Sequence, residues 1–392
     1  MLAFCGATVR VLTISKPYVA AAYRQKLTIL AEQGFTVGLI CPPAWGSQVF
    51  EPDAEGDQYW LKRLPIVANG KNHLHFYRGL TAAVREFKPD IINCEEEHYS
   101  LVTRQCLQAA ESSGAKFLFY TWQNIYKKYP PPFSWTEQAV LNRSAAAVTG
   151  NDEATQVLRV KGYRGHIAEI PQMGVNFDWF AAQPADTSGR RIRKRDLGLE
   201  PDGFHIGFAG RLVEEKGLDT LLSAAAQALK QVPRLRLVIL GSGPHLPQLQ
   251  AQSRALGIEN RISWHMQVPS TAVATYLKAL DVLCLPSRTR SNWKEQFGRI
   301  LVEAMAASAI VVGSSSGEIP RVIADAGLIF PEGDSDSLAR HLVNLAQDEN
   351  LQLTLRERGS RRAQKHYTNT VVASLWGDLW RHVAAESDFK SR

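Results

Sequence analysis

"HIGFAGRLVEEKGLDTLLSAAAQALK", residues 205–230, is the stretch on which the fold turns. The run His205–Gly210 has the length and apolar character of a buried strand, and "LDTLLSAAAQALK" has a helical pattern. Between them Gly210-Arg211 and Lys216-Gly217 set two glycines and two cations at a strand-to-helix junction. Backbone N–H groups and the positive end of the helix dipole favour an anion there. Arg211 can grip a phosphate with two parallel N–H bonds, and Lys216 adds a compact charge. The spacing is neither G-x-x-x-x-G-K-[ST] nor G-x-G-x-x-G. Taken alone, the segment reads equally as a surface turn with its charges in water.

The same strand-then-helix alternation runs along the whole chain. Strand candidates in the first half are "RVLTI" (10–14), "TVGLIC" (36–41), "DIINC" (90–94), "KFLFY" (116–120), "AAVT" (146–149) and "IAEI" (167–170). In the second half they are "HIGFAG" (205–210), "LRLVILG" (235–241), "RISWH" (261–265), "DVLCLP" (281–286) and "AIVVG" (309–313). Amphipathic segments ending on Gly34 and Gly114 carry the glycine that closes a helix. Alternation of this kind predicts α/β architecture with parallel sheets. A chain of 392 residues exceeds what one hydrophobic core usually spans, so two domains are expected. The bridge from about Phe180 to Gly203 is rich in Pro, Gly, Asp and Arg and reads as the linker. Doubly wound domains place ligands at the carboxyl ends of their strands.

The net charge of +7 points to anionic partners: nucleic acid, phosphate-bearing small molecules or an acidic membrane surface. The dense basic run "RRIRKR" (190–195) reads as a solvated connector. No aromatic interleaving or zinc spacing supports nucleic-acid recognition. Cys5, Cys41, Cys94, Cys106 and Cys284 are scattered and form no C-x-x-C, which argues against a disulfide framework or a zinc site and fits a reducing compartment. No apolar run approaches the roughly 18–20 residues of a membrane span, and the N-terminus lacks a signal-peptide pattern. A cytoplasmic location is expected.

Two further strand ends carry chemistry. "GSGP" (241–244) has the small residues that let a backbone pass close to a ligand. In "NWKEQFGRILVEAMA" (292–306), Glu303 lies eight residues after Glu295. Were both helical they would stand about 12 Å apart along the axis, wider than the roughly 5–9.5 Å between paired glycosidase carboxylates. They suit two grips on one elongated ligand with a phosphate centre and hydroxylated ends. A carboxylate in the apolar "ILVEAMA" is costly unless paired, which favours a functional role for Glu303.

Together these elements resemble the donor domain of glycosyltransferase family 4, retaining enzymes that use sugar nucleotides. The matching residues are Gly210-Arg211-Leu212 with Lys216-Gly217, Gly241-Ser242-Gly243-Pro244, Leu285-Pro286-Ser287, the E-x7-E element from Glu295 to Glu303 with Phe297-Gly298, "GEIP" (317–320) and "AGLIFPEGD" (326–334). "IPQMGVNFDWF" (170–180) resembles the family's segment at the domain junction. The resemblance implies the GT-B fold, two Rossmann-like doubly wound parallel-sheet domains facing a cleft. It implies an acceptor-binding domain over 1–180 and a nucleotide-sugar donor domain over 181–370. A C-terminal helix over 371–392 would cross back to the first domain. Arg211 and Lys216 would hold the diphosphate, Glu295 would face the sugar, and Phe297 and Gly298 would offer backbone near sugar and phosphates. Glu303 would accept from the ribose hydroxyls. Gly210, Gly241 and Gly243 would line the donor site, with the base near Met266 and Val268.

The sequence departs from the family's pattern in the first half. A glycine-rich loop after the first strand is replaced by "SKPYVAAAY", where Lys16 either substitutes for backbone donors or is a solvated loop charge. Gln123 stands where many members have a histidine; it can hydrogen-bond a sugar hydroxyl but cannot titrate. "NCEEEHYS" (93–100) resembles an H-E-P-type segment, so that Glu97 and His98 are acceptor-side candidates. The three acids suit a helix N-terminus equally well. "KKYPPPFSW" (127–135) reads as a stiff loop with exposed aromatics.

The expected activity is transfer of a sugar from a nucleotide diphosphate sugar to the hydroxyl of a glycan or lipid-linked acceptor, as in polysaccharide biosynthesis. No cofactor and no divalent metal are expected, since no D-x-D or clustered ligands at metal spacing occur. Nucleic acid is not an expected partner; the charge and aromatic loop permit peripheral contact with the inner face of a membrane. Two rivals remain: a nucleotide-sugar epimerase of the same fold, which would isomerise donor without acceptor, and a non-catalytic binder of sugar nucleotides or nucleic acid.

Overall fold

Runs of consecutive apolar residues form strands buried on both faces, and alternate residues of each run feed opposite sides of a sheet. In the N-terminal unit the strands are β1 (Arg10–Ile14), β2 (Thr36–Cys41), β3 (Trp60–Arg63), β4 (Ile91–Cys94), β5 (Lys116–Thr121), β6 (Ala146–Thr149) and β7 (His166–Glu169). They make one seven-stranded parallel sheet in the order β7-β6-β5-β4-β1-β2-β3. Val11, Leu39 and Leu118 enter the core on one face, and Leu12, Ile40 and Phe119 enter it on the other. The helix Asn369–Ala385 belongs to this unit and buries Trp376 and Trp380 in the first of these cores. It packs against the helix Gln25–Glu32.

In the C-terminal unit the strands are β8 (Phe204–Ala209), β9 (Leu235–Leu240), β10 (Ile262–His265), β11 (Val282–Leu285), β12 (Ile310–Ser314) and β13 (Gly327–Phe330). Their parallel order is β10-β9-β8-β11-β12-β13. This computed structural model describes residues 8–52, 56, 58–266, 268 and 270–386. The N-terminal unit comprises 1–174 and 369–392, and the C-terminal unit 175–368. Each sheet reverses its winding beside its first strand, between β1 and β4 and between β8 and β11. Such switch points leave the strand ends open to a ligand.

β3 and β13 complete the sheets without a long apolar run. "WLKR" is a half-buried edge strand whose lysine and arginine suit an unpaired edge. "GLIF" is four residues long on the opposite sheet's edge. Cys41, Cys94, Cys106 and Cys284 are buried, whereas Cys5 lies outside the described residues. Among the described residues no helix is long and apolar enough to cross a membrane.

The basic run 190–195 is not the solvated connector expected of it. It lies in the helix Thr187–Asp196, whose first turn is capped by the Asp186 carboxylate accepting from the Gly189 N–H. Arg190 and Lys194, four residues apart on one face, are 3% and 4% exposed. Lys194 Nζ lies 2.7 Å from Asp281 Oδ2 and Arg356 Nη2 lies 3.4 Å from Asp281 Oδ1, while Arg190 Nη2 donates to the Ser308 carbonyl. Burial pushes the Asp281 carboxyl up, and Lys194 and Arg356 more than offset it, holding the group below its ordinary range. Charge density in the sequence could not show that a single acid on another element would draw these cations inward.

His205 sits in the same cluster, with its backbone N–H donating to Asp281 and its Nδ1 facing the Gly203 carbonyl. Burial, aided by the Lys194 charge, pushes the imidazole down to about 4. The unfolded chain, with a histidine near 6.5, therefore binds a proton that the folded unit does not between about pH 4 and 6.5. Stability from this group is fully present above pH 6.5 and falls by up to about 3 kcal/mol as pH drops toward 4. Urea unfolding between pH 7 and pH 4.5 should show that slope, and His205→Gln should flatten it; an equal slope in the variant contradicts the assignment.

Candidate functional site

The loops that leave β8, β9 and β11 at their carboxyl ends are laced together by their backbones. The Leu212 N–H donates to the Ser242 carbonyl (2.9 Å), and the His245 N–H donates to the Leu212 carbonyl (3.0 Å). Across the switch point the Arg288 N–H donates to the Glu215 carbonyl (2.8 Å), and further on the Glu318 N–H donates to the Glu295 carbonyl (3.1 Å). This packing explains the small residues. A Cβ on Gly243 would lie 2.2 Å from the Leu212 carbonyl oxygen, so the close approach expected toward a ligand is made toward a neighbouring loop. A Cβ on Gly217, whose φ is +65°, would lie 2.0 Å from the Pro286 carbonyl oxygen. Gly210 and Gly241 belong to the same seam: the Gly210 N–H donates to the Leu240 carbonyl and the Gly241 N–H to the His265 carbonyl.

Lys216 ends the short 3-10 turn Glu214–Lys216 and precedes the helix Leu218–Ala228, which has no side-chain cap at its N-terminus. Its Nζ lies 2.6 Å from Glu295 Oε2 and 4.9 Å from the centre of the Trp293 ring. Ser287 Oγ donates to the same Glu295 oxygen at 2.7 Å. Glu295 is buried and stands before the helix Arg299–Ala306 rather than in it, so the 12 Å helical spacing does not describe the two acids. Gly298 caps that helix in the left-handed conformation, and Phe297 packs edge-on against Tyr367 at 5.7 Å. Glu303 pairs with Arg299 one turn back, at 2.8 Å. Burial pushes the Glu303 carboxyl up, against the pull of Arg299. Arg211 is exposed and forms no ion pair among the described residues. Met266 follows β10 and is exposed; Val268 is half-buried, and Gln267 between them lies outside the described residues. Ser287 enters the sequence reading only as part of Leu285-Pro286-Ser287 and Trp293 has no role in it, because only the pairing of β8 with β11 brings their loop over Lys216.

The N-terminal unit fills its switch point with its own charges. Lys16 is neither a stand-in for backbone donors nor a solvated charge: it is ion-paired with Glu96, and its ammonium lies 5.2 Å from the Trp45 ring centre. Glu95 and Lys26 form a fully buried pair at 2.8 Å, joined by the Tyr18 hydroxyl and Asn93. The three acids do not open a helix, which starts at Leu101; each reaches a different partner. Glu97 accepts from the Thr121 hydroxyl (2.6 Å) and the Trp122 N–H (2.9 Å) and keeps part of its surface. His98 is fully buried, with Nε2 3.0 Å from Glu137, which also holds Lys161. This burial contradicts an acceptor-facing role for His98. Gln123 is 6% exposed, its amide donating to the Ile125 carbonyl.

Residues 189–365, all within the C-terminal unit, match the family described as "Glycosyl transferases group 1". The match covers most of the C-terminal unit. A D-inositol 3-phosphate glycosyltransferase of Streptomyces avermitilis is 32% identical over 242 residues, 59% of this chain and 50% of that one. The chain spans about half the length of the first curated relatives it matches. A phosphatidyl-myo-inositol mannosyltransferase of Mycolicibacterium smegmatis is 24% identical over 368 residues, 90% of this chain and 86% of that one. Among solved structures, sucrose-phosphate synthase from Thermosynechococcus elongatus superposes with a TM-score of 0.74 at 20% identity, covering 97% of this chain and all of that one. HepE of Anabaena in complex with UDP and glucose superposes at 0.69 and 18% identity, covering 95% of this chain and 100% of that one. These likenesses show the GT-B fold.

Gly217→Ala should destabilise the C-terminal unit by about 2–4 kcal/mol, through the left-handed backbone and the collision with Pro286. A thermal melt checks this; an unchanged midpoint would mean the two loops are not in contact.

Proposed function

We propose that the chain transfers a sugar from a nucleotide diphosphate sugar to an acceptor hydroxyl with retention at the anomeric carbon, as a member of glycosyltransferase family 4. The observation that carries this reading is the Lys216–Glu295 pair at the β8/β11 switch point, on the loop that also carries the exposed Arg211. A sugar nucleotide can separate the pair: its diphosphate takes the ammonium, and a sugar hydroxyl takes the carboxylate. Glu303, one helix turn from Arg299, is the acceptor for the ribose hydroxyls. Met266 and Val268 flank the base, and the Phe297–Gly298 backbone serves the sugar and phosphates. The group 1 domain and the UDP-bound neighbour support a nucleotide donor.

The bond from the anomeric carbon to the bridging phosphate oxygen breaks, and its electron pair leaves with the nucleotide. The acceptor oxygen attacks on the same face, and its proton passes to the departing phosphate. No enzyme nucleophile enters. Charge building on the leaving oxygen is met by Arg211, Lys216 and the uncapped helix N-terminus at Leu218, groups already in place before reaction. Because side-chain cations perform this role, we assign no metal or cofactor to the reaction. The N-terminal unit takes the acceptor, with Glu97 as its surface carboxylate. The acceptor is a glycan or lipid-linked hydroxyl of polysaccharide assembly, met at the inner face of a membrane; the relative named as a phosphatidyl-myo-inositol mannosyltransferase supports the lipid-linked choice of acceptor.

Arg211→Ala and Lys216→Ala should each lower kcat by about a hundredfold or more, since one oxyanion-stabilising donor is typically worth about 2.7–4 kcal/mol. Donor-saturated turnover measures this, and an unchanged rate in both variants defeats the assignment. Turnover should persist in EDTA; loss restored by a divalent cation would overturn metal independence.

A further inference from the structure

Trp293 has no part in the reading above, yet the structure takes trouble to place it. It closes a tight antiparallel bridge with Arg290, whose N–H donates to the Trp293 carbonyl at 2.6 Å. Side chains and backbone pin this turn over the Lys216 loop from several directions. Arg290 is ion-paired with Glu214, and Arg288 with Asp219 at 2.6 Å. The Arg288 N–H donates to the Glu215 carbonyl, and the Thr289 hydroxyl donates to Glu332 at 2.7 Å. The outcome is an indole whose ring centre lies 4.9 Å from the Lys216 ammonium, on a lysine already bonded to Glu295.

This arrangement solves a problem that the Lys216–Glu295 pair creates. A ligand that separates the pair removes the contact that aims the ammonium. Lysine is a flexible stem carrying a strongly hydrated charge, and without a second hold it swings into water. An aromatic face attracts the cation without competing for its N–H donors, so it stays in contact while those donors move from carboxylate to phosphate.

Resting on the donor site proposed above, we infer that Trp293 is a positioning residue for Lys216, holding its ammonium at the strand end while Glu295 exchanges that ammonium for a ligand hydroxyl. The requirement is for an aromatic face, not for apolar volume. Phenylalanine should substitute for it and leucine should not.

The test is calorimetric titration of the full chain with UDP and with GDP, using whichever nucleotide binds the parent. Trp293→Phe should bind within about threefold of the parent. Trp293→Leu should bind about threefold to thirtyfold more weakly, the range expected for loss of a partly desolvated cation–π contact. Because Trp293 acts through Lys216, Trp293→Leu should cause no further loss in a Lys216→Ala background. Parent-like binding by Trp293→Leu overturns the inference, as does an equal loss in the presence and absence of Lys216. Parent-like binding by Lys216→Ala alone overturns instead the donor site on which the inference rests.

Discussion

Lys216 and Glu295 meet because the C-terminal sheet reverses its winding between β8 and β11. The two residues are 79 positions apart, and their loops leave neighbouring parallel strands in opposite directions. Parallel strands put all their carboxyl ends on one side, and the reversal opens a place there that no helix covers. An ammonium and a carboxylate facing one another in that place form a neutral, partly desolvated pair. Such a pair is a weak source of stability, since desolvation offsets much of the attraction. In the proposed function its value lies in readiness, because a ligand with a phosphate and a hydroxyl would replace both contacts at once.

The N-terminal unit has the same reversal and a different outcome. There Lys16 meets Glu96 and Lys26 meets Glu95, also at a β1/β4 switch point. Lys26 and Glu95 are fully buried and further held by Tyr18, Asn93 and the Gln172 carbonyl. A carboxylate with that many partners is a structural tie, which fixes the strand ends behind the surface. Glu97 is the member of the acidic trio that retains surface, aimed by Thr121 and Trp122. Buried His98 and half-buried Glu137 and Lys161 form a chain of their own. Three consecutive acids thus take three separate duties, decided by which strand end each side chain faces.

The glycines show a comparable division between appearance and role. Gly-Ser-Gly-Pro after a strand looks like a cradle for phosphate. In the fold, Gly243 and Gly217 are required by neighbouring protein carbonyls, which would collide with any side chain there. In the proposed function this rigidity has a use. Loops locked backbone to backbone hold Lys216, Ser287 and Glu295 in place before a ligand arrives, and preorganised charge is the larger part of electrostatic catalysis.

Much of this was legible in the chain itself. Apolar runs of strand length, alternating with helices closed by glycine, dictate parallel α/β units because a buried parallel strand has no polar face to show. The order of Gly210-Arg211, Lys216-Gly217 and Glu295 to Glu303 placed the candidate groups at strand ends, since local sequence sets where a strand stops and a helix begins. Tertiary structure alone decided the partners. Lys194 and Arg190 read as solvated until Asp281 and the Ser308 carbonyl, far along the chain, took them into the interior. His98 read as an acceptor-side candidate until Glu137 and the surrounding rings enclosed it. Trp293 carried no signal until β11 paired with β8. Charge and period are properties of a segment, whereas burial and pairing depend on which distant segment the sheet order brings alongside.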